Sequence, residues 1–445
     1  MSNKEKNGAQ KRQTANNARR VALETLIKCE SSGQYSNIAL DNALKKCELS
    51  DSDKGLAAVL FYGVIERRIT LDYYLSRLSS RPIDEIDERT KETVRLGLYQ
   101  LMYLDRVPDH AAINETVALC TAKTKGFVNA ILRSYTREGA KIALPDLSEG
   151  EAYYLSVKYS VGERLAERFI KIFGRERCES IFASLHSTAS TTLRVNTLKI
   201  SRDELCERLE GELTRYSVTG VRTSGKVASL YGFDEGLFFV QDEASQICTA
   251  ALGAVAGECV IDTCSCPGSK SFGAAIDMNN EGKVYSFDLH ANKLSLVESS
   301  AKRLGIDIIE TEERDGRKPR EELLGKADRV LCDVPCSGFG VLGKKPELRY
   351  KDPATSAALP NIQLAILEAS ANYVKKGGVL VYSTCTVLPE ENEKNIERFL
   401  TSHKEFELCG FEVGELSCPE GTITLLPDEH GTDGFFVAKM VRKNL

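Results

Sequence analysis

Two cysteines are marked out by their neighbours. Cys336 follows Pro335 in Asp333-Val-Pro-Cys-Ser-Gly-Phe-Gly-Val341, and Cys385 follows Thr384 in Tyr382-Ser-Thr-Cys-Thr-Val-Leu-Pro-Glu-Glu-Asn-Glu393. The reactive form of such a residue is the thiolate. An ordinary cysteine, with a pKa of about 8.5, is only a few per cent ionised at pH 7, so a useful nucleophile needs a neighbour that favours ionisation. A thiolate can add to an electron-poor ring carbon. On a cytosine, addition at C6 makes C5 enamine-like, so that C5 can attack a sulfonium methyl; the C5 proton then leaves and the thiolate is expelled. Taken singly, each cysteine also reads as a small buried residue at a strand end, since cysteine is often buried.

A second group of residues could hold the methyl donor. The turn Asp262-Thr-Cys-Ser-Cys-Pro-Gly-Ser-Lys-Ser271 has small side chains and a single glycine, Gly268. It lacks the G-x-G-x-x-G pattern that a pyrophosphate requires, and suits a less demanding ligand such as S-adenosyl-L-methionine (AdoMet). Asp288 lies 24 residues beyond Cys264, where an acidic side chain would take the hydroxyls of a ribose. Cys264-x-Cys266 and Cys332-x3-Cys336 do not have zinc-site spacing and no histidine pair follows, so no metal is expected.

These residues need a scaffold that gathers them. From about Gln241 onward the chain alternates between strands and helices. Cys259-Val-Ile-Asp262, Lys283-Val-Tyr-Ser-Phe-Asp288, Arg329-Val-Leu-Cys-Asp333 and Gly378-Val-Leu-Val-Tyr382 read as buried strands. Residues 362–376 read as a helix closed by Lys375-Lys376-Gly377, cations and glycine where a helix C-terminus favours them. The alternation specifies a doubly wound, mostly parallel sheet, in which ligands bind beyond the carboxyl ends of the strands. The candidate residues fall there: Asp288 closes one strand, Asp315 follows Ile308-Ile309, Asp333 and Cys336 follow another, and Ser383-Thr384-Cys385 the next.

The front of the chain reads differently. Residues 19–138 are helical throughout, with apolar stripes such as Leu40, Ala43, Leu44, Cys47 and Val94, Leu98, Leu101, Met102. Ser50-Asp51-Ser52-Asp53 caps a helical segment expected over 54–78, and Arg81-Pro82 ends it. Residues 1–18 read as a disordered basic arm and 19–145 as an all-α domain. Residues 150–235 read as a small α+β module, with helices over 151–185, a strand at Thr191-Thr-Leu-Arg-Val-Asn196, a helix over 201–209 and short strands over 218–230. Residues 236–445 form the α/β domain.

Composition agrees with a soluble multidomain protein. The 445 residues are 42% hydrophobic and 28% charged, a length and balance that suit about three domains. There is no signal-like or membrane-spanning apolar run, which predicts a cytoplasmic protein with no membrane partner. The fourteen cysteines are then reduced thiols. The net charge of −5 divides into +3 over residues 1–150 and −8 over the rest, so any polyanion is met by local patches rather than by the whole surface.

The two cysteine motifs closely resemble those of the RNA 5-methylcytosine methyltransferase family (NOL1/NOP2/Sun). The resemblance implies that Cys385, in the Thr-Cys motif, is the nucleophile, and that Cys336, in the Pro-Cys motif, assists product release. DNA cytosine methyltransferases use the Pro-Cys cysteine as nucleophile and lack the Thr-Cys pair. The turn is similar to the family's AdoMet loop, Cys-Ala-Ala-Pro-Gly-Gly-Lys. This places Cys264, Ser265, Cys266, Pro267, Gly268, Ser269 and Lys270 at the cofactor, together with Asp288, Asp315 and Asp333. Ser269 replaces the second glycine, a costly change if that position needs a positive φ. Arg194-Val-Asn-Thr197, Gln241-Asp-Glu-Ala-Ser245 and Asp433-Gly-Phe-Phe436 extend the likeness.

The front resembles the NusB family of RNA-binding domains at Leu96-Gly-Leu-Tyr-Gln-Leu101, Ile113-Asn-Glu-Thr-Val117 and Phe127-Val-Asn-Ala-Ile-Leu132. A NusB-like domain, a small α+β module and a Rossmann-like AdoMet-dependent methyltransferase domain in one chain is the layout of bacterial small-subunit (16S) ribosomal RNA cytosine-C5 methyltransferases. That layout implies a monomer acting on 16S rRNA, naked or in an early small-subunit particle. A tRNA cytosine-C5 methyltransferase is the alternative with the same chemistry. An rRNA-binding assembly factor without turnover is the alternative of another class, whose mark would be loss of a catalytic cysteine or strand-end acid.

Overall fold

The computed structural model describes residues 17–32, 36–186 and 190–444. They form two compact units, one running to Phe182 and including Lys345–Asp352, the other comprising Ala183–Lys344 and Pro353–Leu445. Residues 1–16 of the expected basic arm lie outside the described residues. No helix among the described residues is long and apolar enough to cross a membrane.

The first unit is helical, as its apolar stripes require. Leu23, Leu26, Leu60, Phe61, Val64, Leu71, Leu75, Val94, Leu98 and Leu132 form one buried core. Gly97 lets two helices close up, since a Cβ there would lie 2.7 Å from the Leu132 methyls. Ser50 and Asp87 cap the helices Asp51–Glu66 and Glu88–Tyr103 by accepting from Asp53 N and Thr90 N.

The helix expected over 54–78 is broken at Arg67 into Asp51–Glu66 and Arg68–Leu78. The break leaves backbone groups without helical partners, and distant residues supply them. Tyr350 Oη donates to Ile65 O, Arg349 Nη1 donates to Glu66 O at 3.1 Å, and Ile69 N donates to Ser160 Oγ at 2.9 Å. The segment Lys345–Asp352 is thus a strap seated in the helical unit. Arg349 is fully buried there, its carbonyl accepts from Gly162 N at 2.7 Å, and Glu347 accepts from Ser36 Oγ at 2.9 Å.

In the second unit, β1 (Thr191–Val195), β2 (Glu212–Leu213), β3 (Gly220–Thr223) and β4 (Phe238–Val240) form an antiparallel sheet in the order β2-β3-β1-β4. Within the stretch 218–230, only β3 is a strand; Val227–Ser229 is a 3₁₀ turn.

The larger sheet is built from β5 (Cys259–Asp262), β6 (Lys283–Asp288), β7 (Ile309–Glu313), β8 (Ala327–Asp333) and β9 (Val374–Thr384), which run parallel. Beyond them lie β10 (Phe406–Leu408), β13 (Thr422–Leu425) and β14 (Phe435–Arg442). A separate hairpin pairs β11 (Phe411–Val413) with β12 (Leu416–Cys418). The strand order is β10-β14-β9-β8-β5-β6-β7, with β14 antiparallel to β9 and β13 paired to β14. Both faces are covered. Val260, Leu331 and Val381 face a core shared with Ile247, Phe272 and Val297, while Ile261, Val330 and Leu380 face one shared with Leu367 and Phe399. Burial on both sides is why these strands read as continuous apolar runs.

The helix expected over 362–376 ends at Ala371, and Lys375-Lys376-Gly377 lies inside β9. Tyr373 and Val374 are buried, Val374 pairs with Ala327, and a register shift follows between Ala327 and Arg329. Lys375 is ion-paired to Asp328 on β8. The two lysines are the exposed part of a bulged strand start, where a sequence pattern of cations and glycine imitates a helix end.

Candidate active site

The parallel pairing of β8 and β9 brings the cysteines together. Asp333 stands opposite Ser383 at the carboxyl ends of the two strands, and the chain beyond each end carries one cysteine. The sulfurs of Cys336 and Cys385 lie 3.0 Å apart, and Cys385 N donates to Cys336 Sγ at 3.3 Å. The hydrogen bond with Cys385, reinforced by burial, raises the Cys336 pKa well above that of an ordinary thiol.

Both cysteine loops are fixed from beneath by the Pro-Glu-Glu-Asn run that follows Cys385. Buried Glu391 accepts from Ser337 N at 3.0 Å and from Gln363 Nε2 at 2.7 Å. Asn392 Oδ1 accepts from Thr384 Oγ1 at 2.6 Å and its Nδ2 donates to Thr386 O at 3.0 Å. Ser337 and Thr386 hydroxyls meet at 2.7 Å, which ties one loop to the other. The sequence motif gives Glu391 and Asn392 no role; the fold shows that they reach back beneath both thiols.

The turn after β5 begins the helix Ser269–Asp277. Gly268 has φ +103°, and a Cβ there would strike the Phe272 ring at 2.5 Å. Ser269 is not at positive φ; it is the first residue of the helix. The departure from the family's double glycine thus falls where serine is tolerated. Cys266 N donates to Asp288 Oδ2 at 3.2 Å, binding the turn to the end of β6. Cys264 and Cys266 are thiols with raised pKa values because of burial, Cys266 at about 12 with Asp288 adding to the effect.

Lys270 does not point out of the turn. Its ammonium is buried 2.7 Å from Asp333 Oδ2, while Asp333 Oδ1 accepts from Ser383 Oγ at 2.7 Å. Burial lowers the lysine pKa, but the Asp333 carboxylate outweighs it and the net shift is upward. Asp315 is clasped by Arg317 at 2.8 Å, which holds its pKa down at about 2. The neighbouring Gly316 lies against Thr263 O and Cys264 Sγ, so the Asp315 turn adjoins the loop. Beneath the site, Asp262 accepts from Ser271 Oγ at 2.6 Å, and Ser271 in turn accepts from Ser286 Oγ at 2.8 Å. Burial raises the Asp262 pKa to about 7.

The loop suits a neutral-to-cationic nucleoside cofactor. The Ser265 hydroxyl is buried with no hydrogen-bond partner among the described residues, a donor and acceptor held ready. Asp288, half-buried at a strand end, keeps lone pairs beyond those used by Cys266 N and His290 N. No group of three or more His, Cys, Asp or Glu residues that could hold a metal occurs among the described residues.

Residues 249–441 match the family described as 16S rRNA methyltransferase RsmB/F. Residues 16–137 match the NusB family, and 163–224 the ferredoxin-like domain of RsmF/B-like methyltransferases. A probable ribosomal RNA small subunit methyltransferase B of Bacillus subtilis is 39% identical, covering 96% of this chain and 98% of its own. One of the same description from Synechocystis is also 39% identical, covering 95% and 99%. The crystal structure of the protein PH0851 superposes with a TM-score of 0.78 at 28% identity, covering 96% of this chain and 98% of that one.

Proposed function

Because the chain belongs to the RsmB/F family of 16S rRNA methyltransferases, we propose that it forms 5-methylcytosine in small-subunit rRNA, with Cys385 as covalent nucleophile. The observation that supports this reading is the pair of sulfurs 3.0 Å apart, with the Cys336 pKa raised by its hydrogen bond with Cys385. The Thr-Cys motif gives Cys385 the nucleophile's role by resemblance.

The Cys385 sulfur adds to C6 of the base, and the electron pair is displaced toward C5. The turn 264–270, with Asp288, Asp315 and Asp333, would hold AdoMet, which would supply the electrophilic methyl group to C5. A water molecule takes the C5 proton, the C5–H electron pair re-forms the C5=C6 bond, and the C6–S bond breaks with its pair returning to sulfur. The departing thiolate then meets the Cys336 S–H, which stabilises it by hydrogen bonding. The Lys270–Asp333 pair, anchored by Ser383, sets a fixed charge pattern at the same strand ends. The helical NusB-like front, residues 19–145 in our reading, would hold the RNA.

The test is to incubate the protein with radiolabelled AdoMet and 16S rRNA, digest the RNA, and identify the labelled nucleoside. Labelled 5-methylcytidine is expected. A different methylated nucleoside, or label entering tRNA and not rRNA, would overturn the proposal.

A further inference from the structure

Outside the cysteine site, the second unit has two adjoining cavities of about 360 and 320 Å³ that share Thr192, Asp242, Lys344 and Asp433. Together they form a cleft beside Ser269, the first residue of the cofactor-loop helix. Gln241 lines it. This side chain is 3% exposed, and its Nε2 donates to Ser269 O at 3.1 Å. Its Oε1 is buried with no hydrogen-bond partner among the described residues. An acceptor kept in that state is costly unless something that enters the cleft satisfies it.

The charges of the cleft select what that can be. Lys344 Nζ is held between Asp242 Oδ2 at 2.5 Å and Asp433 Oδ2 at 2.8 Å, and Arg222, which also lines the cleft, is paired with Glu243 at 3.0 Å and donates to Gly431 O. Each cation of the cleft is already matched to a carboxylate, so a phosphate gains little there. Groups that donate hydrogen bonds, such as ribose hydroxyls and base amines, meet carboxylates, an unpartnered amide oxygen and the hydroxyls of Thr192 and Ser245.

The cleft is also tied to the nucleophile. Asp433 is followed by Gly434, whose N–H donates to Gly340 O at 2.8 Å, and Gly340 N donates to Cys385 O at 3.0 Å. Neither segment of this contact has room to gain bulk, because a Cβ on Gly340 would lie 1.8 Å from Gly434 O and one on Gly434 2.7 Å from Gly340 Cα. A group bound in the cleft is held two backbone hydrogen bonds from the residue that attacks the target base.

We propose that this cleft is a subsite for a ribonucleoside adjacent to the target cytosine, recognised through its hydroxyl and amino donors and not through its phosphate. The proposal rests on the reading of the protein as an RNA methyltransferase.

The test uses the full-length protein and a short fluorescent RNA containing the methylated cytosine. Single 2′-deoxy residues, or bases lacking their amino group, are placed at each flanking position. Binding is read by anisotropy for wild type, Thr192→Val and Asp433→Asn. At one flanking position, a donor deletion should weaken wild-type binding about tenfold, while causing no further loss in either variant. Thr192→Val is nearly isosteric, which separates recognition from folding. AdoMet affinity and the salt slope of RNA binding should stay unchanged, since neither cofactor nor phosphate contacts are touched. Additive losses, or no sensitive position, would overturn the subsite. Weakened AdoMet binding with normal RNA binding would assign the cleft to the cofactor and equally overturn it. Nucleoside analysis of the product, run in parallel, tells a failed subsite in a working RNA methyltransferase from a failure of the methyltransferase reading itself.

Discussion

Replacing Cys336 with alanine should stall the reaction after methyl transfer. The substitution removes the thiol that lies 3.0 Å from the Cys385 sulfur, where it can donate as the C6–S bond breaks. A hydrogen bond to a charged partner is worth about 1.5–3 kcal/mol, so thiolate expulsion should slow by roughly 10- to 150-fold. Formation of the adduct does not need that donor and should be less affected. Methylated RNA should therefore remain covalently attached, and a denaturing gel of Cys336→Ala with AdoMet and substrate RNA should show a retarded band. Cys385→Ala should show none and release no product. The double variant should behave like Cys385→Ala, because residues acting in sequence are not additive. If Cys336 merely fills space, its loss lowers thermal stability and traps no RNA. A retarded band with Cys385→Ala in place of Cys336→Ala would reverse the two roles.

Four further outcomes follow from the geometry. Asp288→Ala should weaken AdoMet binding by about 1.5–3 kcal/mol in calorimetry; unchanged affinity would remove Asp288 from the cofactor site. Glu391→Gln should lower turnover by at least about tenfold with AdoMet affinity intact, since a charged anchor of the Cys336 loop is lost while the turn 264–270 is untouched; normal turnover would deny it a positioning role. The raised Asp262 pKa means that the folded state keeps this proton to about pH 7 while the unfolded chain releases it near pH 4. Stability from this group is thus present below about pH 4 and lost as pH rises toward 7. Asp262→Asn should accordingly flatten the fall in melting temperature between about pH 4 and 7, and an unchanged slope would show that Asp262 titrates normally. Tyr350→Phe removes the bonds to Ile65 O and Ser160 Oγ and should cost about 1–2 kcal/mol of stability by denaturant unfolding; no change would mean that the strap does not brace the helix break.

The strand ends were legible in the sequence because a strand buried on both faces reads as an uninterrupted apolar run, and each run stops at a polar residue. Asp262, Asp288 and Asp333 mark such stops directly. What the sequence hid depends on long-range pairing. Nothing around Arg67 signals that its helix breaks, because the partners of the freed carbonyls lie almost 300 residues away in Arg349 and Tyr350. Lys375 and Lys376 imitate a helix end locally, and only the β8 neighbour with Asp328 reveals them as strand residues. Ser269 stands where the family motif has its second glycine, but the backbone assigns the positive φ to Gly268 alone within this turn.

The meeting of the two sulfurs is a property of register more than of either motif. Cys336 is three residues beyond Asp333 and Cys385 two beyond Ser383, and these two reference residues are paired across parallel strands. A slip of one residue would turn every side chain of β9 to the opposite face. Leu380 and Tyr382 would then leave the core they share with Leu367 and Phe399, and Val379 and Val381 the core on the other side. Burial on both faces therefore opposes the slip strongly, and the Ser383–Asp333 hydrogen bond adds a polar lock at the strand ends. Glu391 and Asn392 act on what register cannot reach, the loops beyond those ends. The hydrophobic sheet sets the thiols' coarse position and the buried polar run after Cys385 sets the last ångström. Substitutions in β8 or β9 should thus damage folding first, whereas those at Glu391 and Asn392 should damage turnover in a protein that still binds its cofactor.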